Sequence, residues 1–195
     1  MTPPTKLAPA DLAIIRGRAG LSAECDQMIV ACANVIDAIA LLTQGGHLIE
    51  ASRLIAHAMP KREAVWWACM CARATAPAEL AALDAAALDA AELWVRKPGD
   101  DTRYAAFEIA QETGFGSPEA WACVAAFWSG DSMAPLGQPA VPPAPNLTGT
   151  AVAGSIALAA VRTDPTLQMA RLQAFLTSAH DIAAGGTGRL PPGTA

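Results

Sequence analysis

The sequence predicts an all-α protein, and three observations support that fold class. Alanine, the strongest helix former, is the commonest residue, and 53% of the 195 residues are hydrophobic. Apolar residues recur with helical spacing in successive segments, whereas no segment shows the alternation typical of strands. Residues that start and end helices separate those segments. We therefore expect a bundle of stacked antiparallel helical pairs, followed by a Pro-rich linker and a C-terminal helical pair.

Four predicted helices make up the first half of the main domain. Cys25, Cys32 and Ile39 recur every seven residues, which predicts one continuous helix that faces a bundle. Gly45-Gly46 ends that helix. Pro60 closes the next helix and suits the first turn of the following one. The predicted ranges are 11–18, 22–44, 48–58 and 61–74.

Five more predicted helices follow, and several have a clear start signal. Pro77 opens the first of them. Ser117-Pro118 supplies a capping side chain and a first-turn proline, and Asp164 supplies a cap for the last helix. The predicted ranges are 78–96, 102–112, 118 to about 130, 150–162 and 165–184.

Changes in composition divide the chain into regions. The helical domain takes residues 10–130 and the C-terminal helical pair takes residues 148–184. Residues 131–147 are rich in proline, which is typical of an extended linker. We expect residues 185–195 to be a disordered tail and residues 3–9 to be a loose arm. The C-terminal pair either docks back on the main domain or engages something else.

An internal repeat with an offset of 54 residues is one interpretation of the main domain. Trp67-Ala68-Cys69 recurs as Trp121-Ala122-Cys123, and each triplet lies in the second helix of a predicted helical pair. Such repetition is typical of stacked helical pairs, although two copies are too few to predict a solenoid.

Charge and cysteine content narrow the class of protein. The formal net charge is −5, whereas a nucleic-acid-binding protein needs a basic face, so we expect another protein as the partner and no nucleic acid. The five cysteines lie in apolar helical patterns and are an odd number. They predict free thiols in the core of a cytoplasmic protein, and the N-terminus lacks the pattern of a secretory signal.

The segment 147–161 carries no charge, so a membrane-spanning helix must be considered. About 20 strongly apolar residues are needed to span a bilayer, and this segment is shorter and contains Gly149 and Gly154. We expect a buried packing helix. A peripheral membrane contact through residues 150–162 is the alternative.

Residues that could perform chemistry are few. His47 and Glu50 share a helix face, but a di-metal bundle needs further carboxylate–histidine sets that the chain lacks. Cys69 and Cys71 point apart on a helix and cannot ligate one metal. Nucleotide-binding and hydrolase motifs are absent. We therefore predict no catalytic residue, no metal and no cofactor.

The segment Pro60 to Trp67 is the most unusual. Two basic residues at a helix N-terminus oppose the helix dipole, so another group must compensate for them. Adjacent tryptophans cannot face the same direction on a helix. One interpretation is a buried seam with an internal ion pair. The other is a partner-binding edge, because Trp and Arg anchor many interfaces; its contact residues are Lys61, Arg62, Glu63, Trp66 and Trp67.

The run from Gly46 to Cys69 resembles the core of an uncharacterised proteobacterial family of small helical proteins. The resemblance is most specific from His57 to Cys69 and extends over about residues 22 to 130. Some genes of that family lie near type VI secretion genes. The resemblance implies an accessory or adaptor role and brings no enzymatic residue with it.

Two functional hypotheses follow. The first is a non-enzymatic cytoplasmic interaction or adaptor protein, accessory to a type VI secretion apparatus. The second is a small helical enzyme or ligand-binding domain with a pocket around His47, Glu50, His57 and Arg62. The second requires these four side chains to converge on one cavity.

Overall fold

A computed structural model describes residues 4–7 and 9–190 of the chain. Those residues form ten α-helices, one short 3-10 helix at Pro165–Leu167 and no strand, which confirms the all-α prediction. The helices are α1 (Leu12–Ala19), α2 (Ala23–Ile29), α3 (Val35–Gln44), α4 (Leu48–Ala58), α5 (Lys61–Ala74), α6 (Ala82–Arg96), α7 (Asp100–Glu112), α8 (Pro118–Trp128), α9 (Leu147–Val161) and α10 (Gln168–Ala183).

Helix α8 lies among four others and packs against α5, α6, α7 and α9. The C-terminal helices pack on the same group, because α9 also contacts α4 and α5, and α10 contacts α4, α5 and α9. One cluster of buried apolar side chains contains residues from all ten helices. The linker therefore returns the C-terminal pair to the main helices.

Local capping explains the elements whose bounds the sequence predicts well. Asp11 accepts hydrogen bonds from the amides of Ala13 and Ile14 at the start of α1. Gly20 ends α1 at a φ of 60°, which glycine adopts without steric cost. Ser117 caps α8 by accepting from the Ala120 amide. Each of these signals acts within one turn, so it is readable from the sequence.

The helix predicted for residues 22–44 is wrong, because two helices occupy that range. Helix α2 ends at Ile29, and α3 begins at Val35. Asn34 interrupts the pattern, since its side-chain oxygen accepts from the Asp37 amide at 2.9 Å and starts a new helix. The helix predicted from residue 78 begins at Ala82, and the first C-terminal helix begins at Leu147, within the predicted linker.

Both ends of the chain lie against the helices. Leu7 is 1% exposed, and the Lys6 amide donates to the Ala183 carbonyl, so the prediction of a loose arm is wrong for the described residues. Residues 185–190 of the predicted tail follow α10 closely. Ser178 donates to the Gly188 carbonyl at 2.5 Å, and the Gly188 amide donates to the Asp181 carboxylate. Residues 191–195 lie outside the described part of the chain.

An ion pair buried between α8 and the end of α9 completes the core. Both Glu119 oxygens accept from the Arg162 guanidinium, at 2.7 and 2.9 Å, and the Glu119 side chain is fully buried. This bidentate geometry compensates for part of the cost of burying the charges.

None of the described helices is long and apolar enough to cross a membrane.

Candidate functional site

The two adjacent tryptophans of α5 have different environments. Trp67 is fully buried, and its indole N–H donates to the Phe175 carbonyl at 2.8 Å. Trp67 therefore belongs to the core, and its side chain is not available to contact a partner. Trp66 is half-buried and donates to the Thr187 carbonyl at 2.8 Å, which holds the indole beside the C-terminal segment.

The polar side chains that precede Trp66 bind other parts of the chain. Glu63 forms an ion pair with Lys6 at 3.0 Å. Arg62 Nε donates to the Val95 carbonyl at the end of α6, and Lys61 Nζ donates to the Ser129 carbonyl after α8. An ion pair is thus present at this segment, but it is partly exposed and joins Glu63 to Lys6 and not to Lys61 or Arg62. Lys61 and Arg62 nevertheless remain exposed.

Two cavities flank Trp66, with volumes of about 390 and 250 Å³. The larger lies among α5, α6 and the C-terminal segment, and the smaller lies towards the N-terminal segment. Basic side chains outnumber acidic ones around both. We call Trp66 and the charged side chains that line the two cavities the Trp66 surface: Lys6, Arg62, Arg73, Arg96, Arg189, Glu63 and Glu92.

Glu92 holds two arginines of the Trp66 surface in place. Its carboxylate, 9% exposed, accepts from Arg73 at 2.6 Å and from Arg96 at 3.3 Å. The hydrogen bond to Glu92 is the main reason that the pKa of Arg73 is raised. The two guanidinium groups are therefore fixed but remain more than half exposed, at 52% and 60%.

A third and larger cavity, of about 460 Å³, lies where α1, α4, α9 and α10 meet. We call it the His57 groove. Its charged side chains are Arg18 and Arg53, and no Asp or Glu is among the described residues that line it. Arg18 makes no ion pair within the described residues, whereas Arg53 approaches Glu50 at 3.4 Å and donates to the Gly20 carbonyl.

His57 is the recessed polar group of this groove. Burial, and then the positive charge of Arg18, lowers its pKa to about 4, so the imidazole is neutral near pH 7. The ring packs against the backbone at Gly149, where a Cβ would lie 2.3 Å from Nδ1. The missing side chain at Gly149 therefore makes room for the imidazole.

The alternative pocket of the sequence analysis does not form around one cavity. His57 lines the His57 groove, whereas Arg62 lines the smaller cavity beside Trp66. His47 lies at the start of α4, and Glu50 pairs with Arg53. Among the described residues, no group of three or more potential metal ligands comes together.

The cysteines offer no reactive thiol in the core. All five are free, and Cys69, Cys71 and Cys123 are completely buried. Burial raises the pKa of each of these three thiols, to about 12 for Cys123. A thiol that stays protonated is a poor nucleophile, so these side chains serve as packing residues.

Several residues of the two sites were not singled out by sequence reasoning. Arg73 and Arg189 come together only through the packing of α5, α6 and the C-terminal segment. Arg18 carried no motif. Gly149 was the one available signal, because a glycine in a predicted helix can mark a close approach.

Comparison with known proteins places the chain in a family. A family model matches residues 38–183, about three quarters of the chain, and describes a family of unknown function, DUF6931. The chain belongs to this family. The DUF6931 match begins within α3 and reaches the end of α10, so it includes the linker and C-terminal helices that lay beyond the resemblance to about residues 22–130. No curated protein and no solved structure matches the chain.

Proposed function

We propose that this protein is a non-enzymatic interaction protein that binds an acidic segment of another protein at the Trp66 surface. The observation that carries the proposal is the grouping of five basic and two acidic side chains around one half-buried tryptophan. The whole chain carries a net charge of −5, so this local excess of positive charge runs against its composition.

Interface energetics support this assignment. Tryptophan and arginine are the side chains most often found at energetic hot spots. A local positive field also accelerates encounter with an acidic partner and disfavours basic ones. Trp66 therefore supplies the apolar contact area, and the arginines supply the charge complementarity.

Preorganisation gives further support. Trp66 is held by the Thr187 carbonyl, and Arg73 and Arg96 are held by Glu92. Side chains that are already ordered lose less conformational entropy when a partner binds. These internal contacts are compatible with partner binding, because the Trp66 ring and the guanidinium groups of Arg73 and Arg96 stay accessible.

The cellular role extends the proposal one step further. We propose a cytoplasmic accessory role at a type VI secretion apparatus, and the support for it is the sequence resemblance around His57 to Cys69. The alternative of an enzyme with a pocket around His47, Glu50, His57 and Arg62 has less support, because His57 and Arg62 line different cavities.

Affinity capture with matched variants tests the proposal. The full chain, Trp66→Ala, Arg189→Glu and Arg18→Glu are used as baits in cytosol from the native cell. Arg18→Glu is the control, because it makes the same charge change in the His57 groove. Each bait is first checked for helical content and melting temperature.

We expect a protein that the full chain and Arg18→Glu capture and the other two baits lose. The purified partner should bind Trp66→Ala about thirtyfold more weakly than the full chain, as expected for a hot spot, and should dissociate as salt increases. The proposal fails if no protein is captured, if Arg18→Glu loses it equally, or if the partner's contact segment is not acidic.

A further inference from the structure

The His57 groove is separate from the Trp66 surface and has a different character. It is a recess formed by four helices, and its volume of about 460 Å³ falls within the range typical of small-molecule sites. None of its lining residues lines either cavity beside Trp66. A partner bound at the Trp66 surface therefore would not occupy the groove.

The electrostatics of the groove favour an anion. Arg18 is exposed at its edge with no ion pair among the described residues. Arg53 is held only by a long contact of 3.4 Å with Glu50 and by a hydrogen bond to a backbone carbonyl. Two guanidinium groups with free donors are suited to the oxygens of a carboxylate.

The walls of the groove are mainly apolar. Ile49 from α4, Ala153 and Ala157 from α9, and Leu172 from α10 all line it. A ligand that consists of a charged group alone would leave these walls in contact with water. Burial of an apolar body against them removes apolar surface from water and therefore favours binding.

His57 adds a polar group that is neutral in this environment. The imidazole lines the groove, and its ring is packed tightly against Gly149. A neutral imidazole offers one donor and one acceptor. A ligand in the groove can therefore satisfy His57 without placing a third positive charge beside the arginines.

We infer that the His57 groove binds a small organic carboxylate with an apolar body. The carboxylate pairs with Arg18 and Arg53, the apolar body lies between α4, α9 and α10, and His57 donates a hydrogen bond to an oxygen of the ligand.

Octanoate is the probe for this site, with octanol and octylamine as matched controls. The full chain is titrated while the ring signals of its three histidines are followed by NMR. His57→Gln identifies the His57 signal. Arg18→Gln removes one guanidinium from the groove, and Arg189→Gln removes one from the Trp66 surface.

We expect octanoate to shift the His57 signal to saturation and to raise the melting temperature. Arg18→Gln should lower the affinity for octanoate at least about tenfold, whereas Arg189→Gln should bind octanoate with the affinity of the unmodified chain. The inference is overturned if octanoate does not saturate, if octanol or octylamine binds as tightly, or if the two variants weaken octanoate equally. The comparison of the three probes on the unmodified chain is decisive even if a variant is unstable.

Discussion

The Trp66 surface and the His57 groove both present arginines, but the two regions hold them differently. At Trp66, the nearly buried Glu92 fixes two guanidinium groups at 2.6 and 3.3 Å. In the groove, Arg18 has no ion pair among the described residues, and Arg53 pairs with Glu50 at 3.4 Å and donates to the Gly20 carbonyl. Two guanidinium groups held by one carboxylate beside a ring are suited to a large partner, whereas guanidinium groups with free donors at a recess are suited to a small anion.

The central side chains of the two regions also differ in what they contact. Trp66 is bound to the C-terminal segment at the outer side of α5, whereas His57 sits between α4 and α9 against the backbone at Gly149. Five predictions test this comparison.

The largest effect is expected from the tryptophan beneath the Trp66 surface. Trp67→Ala removes a fully buried side chain and its hydrogen bond to Phe175, so it should lower the free energy of unfolding by about 3–5 kcal/mol. Trp66→Ala should lower it by less than about 2 kcal/mol. Urea denaturation of both variants measures the difference, and equal losses would contradict the distinction between core and surface.

Glu92→Gln tests whether the fixed arginines matter. The variant loses a charged acceptor shared by Arg73 and Arg96, so stability should fall by about 1–3 kcal/mol. Partner binding should also weaken, although the surface becomes more positive. Denaturation and titration calorimetry measure the two effects.

Glu50→Gln is the matched change at the His57 groove. It frees Arg53 from its long contact, so stability should change by less than about 1 kcal/mol and octanoate should bind more tightly.

Tighter partner binding by Glu92→Gln would show that net charge, and not fixed geometry, governs the Trp66 surface.

Two glycines of α9 should respond in opposite directions. Gly149→Ala places a Cβ 2.3 Å from His57 Nδ1 and should cost about 1–3 kcal/mol of stability. Gly154→Ala meets only ordinary contacts at 3.6 Å with Trp121 and should stabilise α9 by up to about 1 kcal/mol. Thermal unfolding of both variants tests whether His57 is packed as described, and a stabilised Gly149→Ala would show that it is not.

A pH dependence of stability is expected at His57. Its pKa is about 4 in the folded chain and near 6.5 when unfolded, so the unfolded state binds more protons between these values. Neutral His57 stabilises the fold above about pH 6.5, and that contribution is lost as the pH falls towards 4. Burial is the main cause of the lowered pKa, and the nearby positive charge of Arg18 adds to it.

His57→Gln cannot titrate and should therefore lose less stability than the unmodified chain over this pH interval. The free energy of unfolding of both proteins at a series of pH values measures the difference. Identical pH profiles would mean that His57 is more solvated than the structure indicates.

The repeated Trp-Ala-Cys triplet shows where sequence reasoning stops. Both triplets lie on the second helix of a pair, α5 or α8, and both cysteines are fully buried. Trp67 is fully buried, whereas Trp121 is half-buried and donates to the nearby Phe115 carbonyl. The tryptophans of two identical triplets therefore differ in burial, because the helices that pack against α5 and α8 differ.

By itself, the sequence determined the helical class and the bounds of α4 and α5, because helix propensity acts locally and Gly45-Gly46 and Pro60 interrupt helices within one turn. The tertiary structure alone decided that Trp67 is core and Trp66 is accessible. It also brought Arg73 to Glu92 and His57 to Gly149. Those pairs are separated by 19 and 92 residues along the chain, so their contacts depend on how the helices pack and not on any local pattern.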